Sequence, residues 1–124
     1  MNFNFVFLGQ SILRYETPLD IFNEINKTYE QKFHQLNPAN VQLVGKIKNE
    51  HSLFNNGEDE SMMKKHNALS KNVLDWFMSM FHHYLDFNHI RQYQTHLNSI
   101  WVNEMKAHEY NPVHVHQEIG RAHV

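Results

Sequence analysis

Between Gln94 and Lys106 the chain tends to alternate apolar and polar residues, and this period of two constrains local structure more tightly than any other stretch. On an extended strand Leu97, Ser99, Trp101, Asn103 and Met105 share one face, and Ile100 and Val102 the other. Elsewhere the period lengthens. Leu69, Val73, Trp76, Phe77, Met80, Phe81 and Tyr84 recur at helical steps and form a wide apolar stripe, so a helix is predicted over 60–85. An earlier helix opens with Thr17 as N-cap and Pro18 at the first helical position. Its apolar face reads Leu19, Phe22, Ile25, Tyr29, Phe33, and it ends near Leu36, before Asn37-Pro38. A chain that mixes the two periods belongs to the α+β class.

Shorter signals fill the gaps. Phe5-Val6-Phe7-Leu8 and Ser11-Ile12-Leu13-Arg14-Tyr15 read as β segments around a turn or bulge at Gly9. Residues 41–48 read as a strand, and 53–59 as a loop marked by Asn55-Asn56-Gly57. A turn is expected at Ala107-His108-Glu109. Residues 110–116 should be extended, because Pro112 disfavours helix around it. His82 and His83 fall near the end of the second helix, where its dipole and water accommodate them. The Met and aromatic stripe of that helix, and Trp101, are expected to be core.

Composition narrows the class. With 124 residues the chain makes one domain at most. No apolar run approaches the roughly 20 residues of a membrane span. The apolar N-terminus lacks the basic flank and small-residue cleavage site of a signal peptide. Eleven Lys and Arg against 13 Asp and Glu give a net charge of -2, without the basic patch that nucleic-acid binding requires. The absence of cysteine excludes disulfides and thiolate metal sites and fits a cytoplasmic protein. Eleven histidines remain, most of them scattered.

Only His114 and His116 have the logic of metal ligands. Residues i and i+2 on a strand share a face, which places two imidazoles about 6–7 Å apart at their Cα atoms. With no thiolate nearby, such a site would use nitrogen and oxygen donors and suit Fe(II) or Zn. The ordinary alternative is a pair of surface or hydrogen-bonded histidines.

The neighbourhood of the pair carries a resemblance. Trp101-x-Asn103, then Glu109-x-Asn111-Pro112-x-His114-x-His116, resembles the 2-oxoglutarate- and Fe(II)-dependent oxygenase-like proteins of tailed phages and marine bacteria. Upstream, Leu43-Val44-Gly45-Lys46-Ile47-Lys48-Asn49-Glu50 resembles that family's Leu-Val-Gly-x-Ile-x-x-Glu element. The resemblance covers most of residues 12–117, in the same order.

What the resemblance implies is a cupin-like double-stranded β-helix, its first strands packed by N-terminal helices, in a bacterial or phage-infected cell. Fe(II) would be its metal and 2-oxoglutarate its cosubstrate, hydroxylating a protein side chain, a nucleobase or a small molecule. His114 matches the first metal ligand. His116 stands where the wider superfamily places Asp or Glu: either it replaces that carboxylate, or it sits behind the ligands and the acid lies elsewhere. Asn103, Tyr110 and Asn111 are the candidate cofactor-binding residues. For Glu109 the competing role is turn chemistry. Two other readings stay open: a non-catalytic cupin-like binding or phage structural module, and a hydrolytic or zinc-dependent cupin using the same two histidines.

The last seven residues, 118–124, have a foreign look. The codons GAG-ATC-GGA-AGA-GCA-CAC-GTC would encode them, and that DNA matches the start of a common sequencing adapter. The expectation is therefore a native N-terminal domain part over 1–117 followed by a non-native tail, with His123 no ligand. On that expectation the third metal ligand and the basic residue that grips 2-oxoglutarate lie downstream, and the fragment alone is inactive and not stably folded, with unpaired strand edges.

Overall fold

A computed structural model describes residues 9, 11–39, 45–57 and 64–112. The chain is α+β. Helix α1 (Leu19–Lys32) runs into a 3-10 turn (Phe33–Gln35), followed by β1 (Asn37–Pro38), β2 (Asn49–Asn55), β3 (His66–Asn67), helix α2 (Lys71–Phe87) and β4 (Ser99–Glu104). Two compact units result, one from residues 1–27 and 69–97, the other from 28–68 and 98–124. No helix among the described residues is long and apolar enough to cross a membrane.

The first unit holds α2 and most of α1. Phe22 donates its N–H to the Pro18 carbonyl at 2.9 Å, so helical bonding begins one residue later than the Thr17 cap predicts. The buried residue of this part of α1 is Ile21, while Leu19 and Phe22 are exposed. The buried stripe is therefore rotated from the predicted one.

Helix α2 begins at Lys71, not near residue 60. Ser70 is its N-cap, its hydroxyl accepting from the Val73 N–H at 3.4 Å and donating to Glu24 at 2.9 Å. Val73 has no exposed surface, and Leu69 is nearly as buried, but Phe81 is exposed. The helix closes through His89, whose φ is 60°. The His89 N–H donates to the Asp86 carbonyl and the Ile90 N–H to the Leu85 carbonyl, both at 3.0 Å. This is the six-to-one and five-to-two pattern of a left-handed helix stop, usually given to glycine.

Residues 11–15 form no strand. Their exposure alternates, with Ile12 turned to solvent, but side chains of α2 take the place of a ladder partner. The Tyr84 hydroxyl donates to the Ser11 carbonyl at 2.9 Å, and the Tyr15 hydroxyl lies 2.7 Å from His83 Nδ1. His82 Nε2 meets the Thr95 hydroxyl at 2.8 Å. Both histidines expected to face water are thus bonded to side chains.

The second unit is an open antiparallel sheet centred on β2. Strand β4 pairs along one edge of β2, while β1 and β3 pair with successive parts of it. β2 occupies part of the segment predicted as loop, and the described part of the predicted 41–48 strand contributes only a bridge at Lys46. Residues 40–44 and 58–63 lie outside the described residues. The loop signal acts later than expected: Asn55 Oδ1 accepts the Gly57 N–H at 2.7 Å, and Gly57 takes a left-handed φ of 74°.

Between Ser52 and Phe54 the β2–β4 register slips by one residue, leaving Leu53 as a bulge. Leu53 is buried with Leu36 and Ile47. These three are the apolar core of the unit among the described residues. Two helices and a small open antiparallel sheet bear out the α+β class; the cupin-like jelly roll expected from the resemblance goes beyond what these elements show.

Candidate functional site

The bulge decides which β2 side chains share a face. Pairing with β4 sets Asn49, His51 and Phe54 beside Glu104, Val102 and Ile100. It sets Glu50, Ser52 and Asn55 beside Asn103, Trp101 and Ser99. The short strands extend both rows, because Asn37 lies opposite Ser52 and His66 opposite Asn55.

The first face receives the last turn of α1. Tyr29 donates a short hydrogen bond, 2.5 Å, to Glu104 Oε2. The ring of Phe33 lies 4.4 Å from that of His51, and the Tyr29 ring 6.3 Å. Burial, then the bond to Glu104 and its charge, push the Tyr29 hydroxyl up to about 12. Burial also holds His51 below the usual histidine value, against the pull of the Glu104 carboxylate. His51 Nδ1 is buried without a hydrogen-bond partner.

Two consequences can be measured. The stability that Tyr29 contributes is complete below the ordinary tyrosine value near 10 and is lost as pH rises toward about 12. Tyr29→Phe should cost about 1.5–3 kcal/mol at neutral pH, the range for a hydrogen bond to a charged group. The neutral His51 contributes stability that is complete above roughly 6.5 and is lost as pH falls below it. Unfolding midpoints measured down to pH about 5 should fall less steeply in His51→Phe than in the parent chain. Equal slopes would exclude His51 as a source of the acid sensitivity.

The second face is polar although its centre is buried. Ser52 is 2% exposed, Glu50 4% and Asn55 6%. Ser52 Oγ and His66 Nε2 are buried with no hydrogen-bond partner. On the β4 side of this face, Trp101 is 44% exposed and Asn103 is also exposed. Trp101 was expected in the core. The β4 side chains turned toward the α1 face, Ile100, Val102 and Glu104, are instead the more buried set.

Of the candidate cofactor residues, the register places Asn103 on this face. Asn103 lies opposite Glu50. Tyr110 bridges to Lys46 through two backbone hydrogen bonds, 2.8 and 3.1 Å, and is 57% exposed. Asn111 follows it, also exposed. Glu109 performs turn chemistry: its carboxylate accepts the Lys106 N–H at 2.9 Å, its own N–H donates to the Lys106 carbonyl at 3.0 Å, and His108 adopts a φ of 68° between them.

Gly45 sits against Tyr110-Asn111-Pro112. A Cβ placed on it would fall 2.3 Å from the Tyr110 carbonyl oxygen and 2.8 Å from the Pro112 ring. His114 and His116, the candidate metal ligands, lie outside the described residues. Among the described residues no group of three His, Cys, Asp or Glu side chains could hold a metal ion.

The buried polar atoms that the periodicity did not single out are those of Ser52 and His66. Their signal was available only as polarity: Glu50, Ser52 and Asn55 interrupt what would be the apolar side of a central strand. No family model, curated protein or solved structure matches this chain.

Proposed function

We propose that the chain is the N-terminal part of a non-haem Fe(II)- and 2-oxoglutarate-dependent oxygenase with a double-stranded β-helix core. One observation carries this reading. The two segments that resemble the oxygenase family, some fifty residues apart in sequence, lie side by side. Glu50 stands opposite Asn103, Lys46 is bonded to Tyr110, and Gly45 admits the Tyr110–Pro112 backbone at a distance no side chain tolerates. That contact anchors the chain two residues ahead of His114.

Fe(II) with 2-oxoglutarate, when bound, would supply oxygen activation for hydroxylation of a C–H bond. In this chain His114 and His116 would hold the metal. Asn103, Tyr110 and Asn111 would line the cosubstrate site. The expected setting is a bacterial or phage-infected cytoplasm.

The full-length protein should form succinate from 2-oxoglutarate in the presence of Fe(II), and a chelator should stop it. Absence of Fe(II)-dependent succinate formation from a folded, iron-loaded protein would sink the reading. A second reading, a non-catalytic cupin-like binding module, is favoured by the buried polar face of β2, which offers hydrogen-bonding groups whether or not a metal is present.

A further inference from the structure

The polar face of the second unit carries buried polar atoms that the strand ladders do not employ. A buried hydroxyl and a buried imidazole nitrogen without partners are uncommon in a folded chain, because each forgoes the hydrogen bond it would make in water. Ser52 Oγ and His66 Nε2 are such atoms, and register places both on one face. His66 stands on β3 opposite Asn55, which is three residues along β2 from Ser52 with the bulge at Leu53 between them, so the two backbones are roughly 8–11 Å apart.

We infer that this face, floored by Glu50, Ser52 and His66 and rimmed by Trp101 and Asn103, binds a polyhydroxylated ligand of the size of one sugar ring. The chemistry selects among ligand classes. No Lys or Arg stands at the paired positions of this face, and the Glu50 carboxylate is nearly buried within it, so phosphates and carboxylates are disfavoured. Trp101 is its one large apolar surface, which is too little for a wholly apolar ligand. Serine, asparagine and histidine side chains offer both donors and acceptors, and a ring of hydroxyl groups, which do both, can reach the unpartnered Ser52 Oγ and His66 Nε2 together. The exposed indole of Trp101 offers a flat face to the C–H side of such a ring.

The test is a titration of the full-length protein with methyl α-glucoside, methyl β-galactoside and methyl β-xyloside, with EDTA present throughout. Binding is read from the Trp101 indole and Ser52 amide signals in proton–nitrogen correlation spectra. Trp101→Phe assigns the indole signal against Trp76.

At least one glycoside should give saturable shifts in the millimolar range. Ser52→Ala and His66→Phe should each weaken it by roughly fivefold or more, the loss of one hydrogen bond. Ser79→Ala, on the exposed side of α2, should leave it unchanged. If Ser52→Ala fails to fold, Ser52→Cys keeps the volume and weakens the bond.

No saturable shift with any of the three would overturn the inference. So would binding that survives both substitutions. Glycoside binding without succinate formation would leave this inference standing and remove the oxygenase reading, so the two fail separately.

Discussion

Gly45→Ala should unfold the second unit at a temperature about 10–20 °C lower than the parent chain, or prevent its folding. The added Cβ meets the Tyr110 carbonyl oxygen at 2.3 Å, the Asn111 Cα at 2.9 Å and the Pro112 Cδ at 2.8 Å. Two of those three atoms are backbone, and the third is on a proline ring fixed to it, so no side chain can rotate away. Relief requires the strands to part, which breaks the paired Lys46–Tyr110 hydrogen bonds. Overpacking of a well-filled site costs about 1–3 kcal/mol, and more where nothing can yield. For a domain of this size each kcal/mol moves the midpoint by about 4–8 °C. Thermal denaturation followed by circular dichroism measures the effect. An unchanged midpoint would mean that the Gly45–Tyr110 approach is not part of the folded protein, and with it would go the contact that joins the two resemblance segments.

This contact also marks where sequence could and could not lead. The period-two run around Trp101 yields β4 correctly, because alternation on a half-exposed strand is a direct imprint of its two environments. It also groups the two faces correctly but expects Trp101 in the core, whereas Ile100 and Val102 with Glu104 are the more covered set and Trp101 stands out. A strand whose polar residue is bonded to Tyr29 does not announce in its own letters that this side is the inner one.

Strand β2 is harder still. Asn49-Glu50-His51-Ser52-Leu53-Phe54-Asn55 lacks the apolar run of a buried strand, yet five of its seven residues are buried. Its pairing with three other strands, and the bulge at Leu53 that swaps the faces, depend on partners up to about fifty residues away. The second helix is legible in its stripe but not in its start. Ser70 caps it where the apolar pattern alone would allow an earlier beginning. The turn at Glu109 is legible because its hydrogen bonds are local. His82 and His83 are not, because their partners Thr95 and Tyr15 lie on other segments. Chemistry that depends on neighbours in sequence could be read; chemistry that depends on neighbours in space could not.

On the oxygenase reading, His114→Ala should reduce Fe(II)-dependent succinate formation by the full-length protein more than about 100-fold. Disturbing a group behind a metal ligand already costs about 10–100-fold, and removing the ligand itself costs more. His116 allows a sharper experiment, because it stands where a carboxylate is expected. Residues i and i+2 of an extended strand share a face, so a ligand at His116 would reach the ion held by His114, and His116→Ala should then lose as much activity as His114→Ala. His116→Asp should retain a substantial part, since a carboxylate at that position completes two-His-one-carboxylate coordination once a further histidine is supplied. Iron content measured on the purified variants separates lost coordination from lost folding: His114→Ala should come out iron-poor with an unchanged circular dichroism spectrum. Full activity in His116→Ala would move the acidic ligand elsewhere in the protein and leave His116 a supporting role. Full activity in His114→Ala would remove the metal site from the His114–His116 pair altogether. The buried polar face around Ser52 would then be the strongest remaining account of what this chain binds.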